Sequence, residues 1–233
     1  EHARIQGFPD TFLVPEHRWN RCMGNAVTVP CARHALSCVV DGHETVRHME
    51  LCAGIGGFGV ALSQVAHAVS ETYFSEIVPA AIKCYKRNFP DAHALGDAYD
   101  VTEWPSTDVI TAGFPCQPFS CAKTNASTTD RRRDFFQQVL MAVEKSGATR
   151  VVLENVPRLQ SVDGGVRFKE IIDTLESMGF STTHGILNSS HFGVPQVRKR
   201  LYICARRGGI PPRDIETYVP SAPVVLGDVI DPS

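Results

Sequence analysis

One cysteine stands between two prolines in the segment GFPCQPFS, at residues 113–120. Proline fixes its own φ angle and biases the preceding residue away from the helical region, so we expect Cys116 on a stiff, extended loop. A cysteine held in this way suits a nucleophile, because a thiolate must meet its target atom at a defined angle. The chain has eight cysteines but no C-x-x-C pair and no Cys/His metal spacing, so we expect reduced thiols and no metal.

Short apolar runs alternate with amphipathic stretches through the middle of the chain. The runs typical of strands are 46–51, 71–76, 92–95, 108–113, 150–155, 182–187 and 200–205, and the stretches typical of helices are 57–68, 78–89, 133–147 and 167–179. This alternation predicts an α/β fold with a mostly parallel sheet and helices on both faces. The last two runs have no helix between them, which favours an antiparallel hairpin at the edge. We expect residues 1–30 to be loop-like and a helix to begin near Pro30.

Polar or glycine-rich features follow five of the predicted strands. They are the loop CAGIGGFG at residues 52–59, Glu76, Asp97, the Cys116 loop and Glu154. Because ligands bind at the carboxyl ends of the strands in a parallel sheet, we expect these features at one rim. The loop also matches G-x-G-x-x-G, which is found in NAD-dependent enzymes, and glycines there also permit close packing of helix and strand.

The combination of these motifs resembles the cytosine-5 DNA methyltransferases. ELCAGIGGFG, GFPCQPFS, ENV at residues 154–156 and QVRKR at residues 196–200 match motifs of that family across residues 46–205. The resemblance implies a Rossmann-like S-adenosylmethionine-dependent methyltransferase fold with helices on both faces. It assigns catalysis to Cys116, Glu154, Arg198 and Arg200. It assigns cofactor binding to Asn25, Val27, Glu50, Cys52, Ala53, Gly54, Ile55, Gly56, Gly57, Phe58, Glu76, Ile77, Asp97, Ala98 and Pro115. It assigns DNA binding to Gln117, Ser120, Arg132 and Gln196.

The order of the motifs differs from that of most members. Residues 1–12 resemble part of the ninth motif and residues 21–30 the tenth, although these motifs usually come last. We therefore expect a circularly permuted chain: residues 1–40 pack on a catalytic core at 46–207, and 208–233 form a linker or the start of a target-recognition region. Most of that region is expected on a second polypeptide or outside the sequence.

The expected reaction is methylation of cytosine carbon 5 in double-stranded DNA, within a restriction–modification system. The thiolate of Cys116 would add to carbon 6 of a flipped-out base while Glu154 donates to ring nitrogen 3. Three alternatives are a tRNA cytosine-5 methyltransferase, a non-catalytic regulatory subunit and a NAD oxidoreductase. A regulatory subunit has no need of both Cys116 and Glu154, and a NAD enzyme gives no role to PCQPFS.

Charge and hydropathy limit the partners and the compartment. The net charge of −2 gives no global positive field, so any nucleic-acid binding must come from local basic patches. We find no apolar run long enough to cross a membrane, and we expect no signal peptide. We expect a cytoplasmic, nucleoid-associated protein, or a nuclear one in a eukaryote.

Overall fold

The computed structural model describes residues 2–14, 19–114 and 135–228. Within them, a seven-stranded sheet has the order β3-β2-β1-β4-β5-β7-β6. The strands are β1 (Thr45–Leu51), β2 (Ala68–Ser75), β3 (His93–Gly96), β4 (Val109–Gly113), β5 (Arg150–Asn155), β6 (Phe180–Asn188) and β7 (Lys199–Arg207). Strands β1 to β5 pair in parallel, whereas β7 runs antiparallel to both β5 and β6. The predicted parallel sheet with an antiparallel edge hairpin is therefore confirmed.

Helices cover both faces of this sheet. They are α1 (His2–Ile5), α2 (Trp19–Asn25), α3 (Val29–Ser37), α4 (Gly57–Ser63), α5 (Pro79–Asn88), α6 (Phe135–Ser146) and α7 (Val166–Ser177). One apolar core joins α3, α4 and part of α5 to the sheet, and a second joins α6 and α7 to the opposite face. The central strands β4 and β5 are buried along almost their whole length, as expected of parallel strands covered on both sides.

Two sequence expectations differ from the observed elements. The helix expected at 57–68 ends at Ser63, because its last turn closes with the bonds Gln64 N–H to Ala61 O and Val65 N–H to Leu62 O. The chain then turns into β2, which begins beside Thr45. The expectation that residues 1–30 are loop-like is wrong, because α1 and α2 lie there.

The helix expected near Pro30 is confirmed, since α3 begins at Val29 with Pro30 in its first turn. Helices α2 and α3 pack into the same core as α4. Val27, between α2 and α3, packs tightly on Gly57 of α4, where an added Cβ atom would stand 2.6 Å from Cγ2 of Val27. The N-terminal segment is thus part of the wall that supports the glycine-rich loop.

Residues 213–221, here called the C-terminal strap, lie across α3 and the short turn Ser189–Phe192. Ile215 is fully buried, and its carbonyl oxygen lies 2.8 Å from Nε2 of His34. The Tyr218 hydroxyl lies 2.9 Å from Nδ1 of His191. Further along the chain, by contrast, Val225 and Leu226 are exposed. The strap is anchored through one buried side chain and hydrogen bonds, which leave no repeating pattern in the sequence.

None of the helices in the described ranges combines the length and the apolar character that a transmembrane segment needs.

We predict that Gly57→Ala destabilises the fold by about 1–3 kcal/mol, because the new methyl group overlaps Val27 in a packed core. Gly24→Ala is the matched control, since no atom of the described residues outside its own helix backbone and chain neighbours lies within 4 Å of the position that its new methyl group would take. Urea unfolding followed by circular dichroism measures both variants. Equal stability of the two variants would contradict the close packing of the N-terminal segment on α4.

Candidate active site

A cleft of about 360 Å³ opens where the carboxyl ends of β1, β2, β4 and β5 meet the N-terminal segment. The parallel registers bring these ends together, since Leu51 lies opposite both Ser75 and Ala112, and Gly113 lies opposite Glu154. The described lining residues are Arg21, Cys22, Gly24, Asn25, Cys52, Gly54, Glu76, Val78, Ala81, Gly113, Phe114, Glu154, Asn155, Val156, Arg198 and Arg200. The volume lies within the range of small-molecule sites.

The glycines of the loop between β1 and α4 divide into two groups. A Cβ atom at Gly56 would lie 2.5 Å from Phe89, and one at Gly59 would lie 3.0 Å from the same ring. These glycines therefore permit close packing. Gly54 is different: its φ is 55°, it lines the cleft, and no atom of the described residues, apart from its chain neighbours, lies within 4 Å of the place that a Cβ would occupy. Only this glycine leaves the backbone open for a ligand among those that match G-x-G-x-x-G.

Glu50 lies beneath the loop and is 1% exposed. Its Oε1 accepts a hydrogen bond from the Phe58 N–H at 3.2 Å. Its Oε2 accepts from the Gly59 N–H at 3.1 Å and from the Tyr85 hydroxyl at 3.0 Å. The carboxyl group thus caps α4 and fixes the loop from behind. Burial nevertheless raises the pKa of Glu50 to about 8, because desolvation outweighs these bonds.

Glu76 follows β2 and faces the cleft. One carboxylate oxygen accepts from the Gly54 N–H at 2.7 Å, and the other accepts from the N–H groups of Ile77 and Val78, each at 2.8 Å. The oxygen that is bonded to Gly54 has a second lone pair, so the carboxylate can still accept a hydrogen bond from a hydroxyl group of a ligand. The neighbouring Ile77 side chain is 66% exposed, which gives a ligand ring an apolar surface.

Cys52 lies between these acidic groups and has a left-handed φ of 51°. Burial, with smaller effects from Glu76 and Asp97, raises the pKa of its thiol well above the usual value. The thiol therefore stays protonated and has little nucleophilic character. Asp97 also organises its own turn, because its Oδ1 accepts from the Tyr99 N–H at 3.0 Å.

Glu154 is paired with Arg200 at the far side of the cleft. Nε of Arg200 lies 3.0 Å from Oε1 of Glu154, which is 9% exposed. Burial raises the pKa of Glu154, whereas Arg200 and Arg198 act against that rise. This direction favours the protonated form of the carboxyl group, which is the form that can donate a proton.

Arg198 contacts the N-terminal segment and does not pair directly with Glu154. Its Nη1 donates to the Gly24 carbonyl at 3.0 Å, and its Nη2 donates to the Ala26 carbonyl at 3.1 Å. Burial lowers the pKa of Arg198, with a further effect from Arg200. The N–H of Arg198 donates to Oγ of Ser189 at 3.0 Å, and this hydroxyl also donates to the Gln196 carbonyl. This chain of bonds connects the Q-x-R-x-R segment to α2.

Asn155 holds the start of the cysteine loop, although sequence reasoning did not single out its side chain. Its Nδ2 donates to the Phe114 carbonyl at 3.0 Å, and its Oδ1 accepts from the Val156 N–H at 2.9 Å. The asparagine follows Glu154 directly, so its position in ENV was a usable signal. Pro115, Cys116, Gln117, Ser120 and Arg132 lie outside the described residues.

The remaining predicted residues fall into three groups. Seven line the cleft: Asn25, Cys52, Gly54, Glu76, Glu154, Arg198 and Arg200. Glu50, Ala53, Ile55, Gly56, Gly57, Phe58 and Val27 lie buried behind the glycine loop or against it. Ile77, Asp97, Ala98 and Gln196 are not among the described lining residues. The structure adds Arg21, one helical turn before Asn25, which helical spacing would have indicated had α2 been predicted.

The described residues contain neither a disulfide bond nor a cluster of metal-binding side chains. Cys22, Cys31, Cys38, Cys52, Cys84 and Cys204 are all free. No group of three or more His, Cys, Asp or Glu side chains that could hold a metal ion occurs in 2–14, 19–114 or 135–228.

We predict that Glu50→Gln flattens the dependence of stability on pH between about 5 and 8. The pKa of Glu50 is raised from 4.5 in the unfolded chain to about 8 in the folded protein. The free energy of unfolding therefore falls as pH rises through this window, because the unfolded chain releases the proton first. The loss is at most about 1.4 kcal/mol per pH unit. Glu154 acts in the same direction, so the free energies of unfolding of wild type and Glu50→Gln are compared at each pH. Parallel curves would contradict the raised pKa of Glu50.

Curated proteins similar to this chain are type II methyltransferases. The chain is 36% identical over 181 residues to M.BanI of Aneurinibacillus aneurinilyticus, which covers 76% of this chain and 42% of that protein. It is 35% identical over 186 residues to M.MspI of Moraxella sp., which covers 78% of this chain and 43% of that protein. The chain therefore spans less than half the length of these two relatives.

A solved structure and a family model agree with this similarity. A variant of Spodoptera frugiperda DNMT2 superposes with a TM-score of 0.58 at 25% identity, covering 78% of this chain and 56% of that one. The model of the C-5 cytosine-specific DNA methylases matches residues 46–224. The fold is thus the Rossmann-like methyltransferase fold, and the chain belongs to the C-5 cytosine-specific DNA methylase family.

Proposed function

We propose that this chain catalyses methyl transfer from S-adenosylmethionine to carbon 5 of cytosine in double-stranded DNA. The observation that carries the proposal is the buried Glu154–Arg200 pair, which shares one cleft with the open Gly54 and with Glu76. Both relatives reported above are named type II methyltransferases, which supports a role in a restriction–modification system.

The cleft fits the cofactor on several independent features. The Glu76 carboxylate has a free lone pair for a ribose hydroxyl group, and the exposed Ile77 offers an apolar contact for adenine. The backbone at Gly54 is open towards the cleft. We assign Asp97 to the adenine amino group and Asn25 to the methionine half. S-adenosylmethionine supplies an electrophilic methyl group when it is bound.

The protein groups divide the chemistry on the base between them. We propose that the Cys116 thiolate adds to carbon 6 of cytosine, which makes carbon 5 electron-rich. Glu154 donates a proton or hydrogen bond to ring nitrogen 3, which its raised pKa favours. Arg200 orients the Glu154 carboxyl group. After methylation, loss of the carbon-5 proton to a base allows Cys116 to leave with its electron pair.

DNA binding is proposed for the same rim. Gln117, Ser120, Arg132 and Gln196 are assigned to contacts around a target base that has been flipped out of the duplex. We also propose that residues 1–40 act as the family's ninth and tenth motifs on a core at 46–207. In support, α2 contributes Arg21, Cys22, Gly24 and Asn25 to the cleft. A second polypeptide, and the role of 208–233 as linker or recognition region, stay predictions.

We predict that Cys116→Ala abolishes a covalent adduct with DNA. Duplexes of randomised sequence that carry 5-fluorocytosine in place of cytosine should trap wild-type protein in the presence of cofactor, because fluorine at carbon 5 prevents the elimination step. The adduct is measured as a mobility shift that survives boiling in detergent. Cys121→Ala, in the same segment, is the matched control and should keep the adduct.

An adduct that persists in Cys116→Ala would contradict the assignment of the nucleophile. The same trap with 5-fluorocytidine-substituted tRNA separates the two nucleic-acid substrates. An adduct with tRNA and none with DNA would favour the tRNA methyltransferase alternative over this proposal.

We predict that Glu76→Gln and Asp97→Asn each weaken binding of S-adenosylhomocysteine by about 10-fold or more, as expected when a charged hydrogen-bond partner is lost. Isothermal titration calorimetry gives the dissociation constants, and Asp91→Asn, outside the described cleft lining, is the control. Tight binding of NAD with none of S-adenosylhomocysteine would instead favour an oxidoreductase.

A further inference from the structure

The charges around the cleft leave one cation unassigned by the proposed function. Three arginines line the described part of the cleft: Arg21, Arg198 and Arg200. Arg200 is paired with Glu154, and Arg198 donates to the carbonyls of Gly24 and Ala26. Arg21 is exposed, and within the described residues its side chain has neither a hydrogen bond nor an ion pair.

The glycine loop has few donors left for an anion. The N–H groups of Phe58 and Gly59 are taken by Glu50, and that of Gly54 is taken by Glu76. Those of Ala53 and Gly56 donate to the carbonyls of Ser75 and Ala53. The helix N-terminus that serves as an anion site in many nucleotide-binding folds is here occupied by a carboxyl group of the protein itself.

The position of Arg21 suits a ligand that also contacts Asn25. Four residues separate them on α2, so both project from the same face of the helix. This face borders the cleft together with Gly54 and Glu76. The proposed cofactor carries a carboxylate at its methionine end, and this group requires a donor once it leaves water.

We propose that Arg21 binds the carboxylate of the methionine half of the cofactor. This inference rests on the proposed function, since it names a residue for the same site. The guanidinium group supplies the countercharge that the glycine loop does not offer, and its planar donors suit a carboxylate in a bidentate arrangement. Arg21 thereby distinguishes the complete cofactor from nucleosides that lack the carboxylate.

The test combines a protein variant with a ligand variant. Calorimetry compares wild type, Arg21→Ala and Arg21→Lys with two ligands: S-adenosylhomocysteine and 5′-deoxy-5′-(3-aminopropylthio)adenosine, which lacks only the carboxylate. We expect Arg21→Ala to weaken the binding of S-adenosylhomocysteine by about 10-fold or more and to change the affinity for the second ligand by less than about 2-fold. The affinity of Arg21→Lys for S-adenosylhomocysteine should lie between those of wild type and Arg21→Ala, because an ammonium group keeps the charge but cannot form the bidentate contact of a guanidinium group. Arg33→Ala, an exposed arginine on α3, is the matched control.

Four outcomes would overturn the inference. In the first, Arg21→Ala weakens the binding of both ligands equally, which would assign Arg21 to the nucleoside half or to the stability of the fold. In the second, it weakens the binding of neither ligand. A loss confined to duplex DNA, measured by fluorescence anisotropy, would assign Arg21 to a phosphate. Wild type that binds neither ligand would overturn the proposed function as well, whereas the first three outcomes leave S-adenosylhomocysteine binding by wild type intact.

Discussion

Strand β7 runs against both of its neighbours, and this reversal brings the start of β7 beside the carboxyl end of β5. Asn155 therefore pairs with Leu201, and Arg200 arrives next to Glu154. A parallel β7 would carry the Q-x-R-x-R segment to the opposite rim of the sheet. The ion pair, the contact of Arg198 with α2 and the shape of the cleft all depend on this one reversed strand.

Burial gives the two acidic groups of the site different roles. Glu154 lies at the wall of the cleft, where desolvation raises its pKa and Arg200 limits the rise. Glu50 lies deeper, among the N–H groups of α4 and the Tyr85 hydroxyl, and does not line the described cleft. One carboxyl group thus lines the cleft, whereas the other stabilises the glycine loop from behind.

The N-terminal segment joins the two halves of the cleft. Val27 packs against Gly57 on the glycine-loop side, while the carbonyls of Gly24 and Ala26 accept hydrogen bonds from Arg198 on the Glu154 side. The strap adds a third contact through His34 of α3. A displacement of α2 would therefore change the surroundings of the glycine loop and of Glu154 together.

The sequence by itself determined the order and type of most elements, because the alternation of apolar runs and amphipathic stretches follows from burial of each element on one sheet. It also predicted that Gly54, Glu76 and Glu154 lie at one rim, since each follows a strand. Only the tertiary structure decided which partner each group has. Glu50 accepts hydrogen bonds from α4, Arg198 donates to a carbonyl of α2, and Arg21 lines the cleft. The sequence does not predict these positions, because they depend on how elements far apart in the chain pack together.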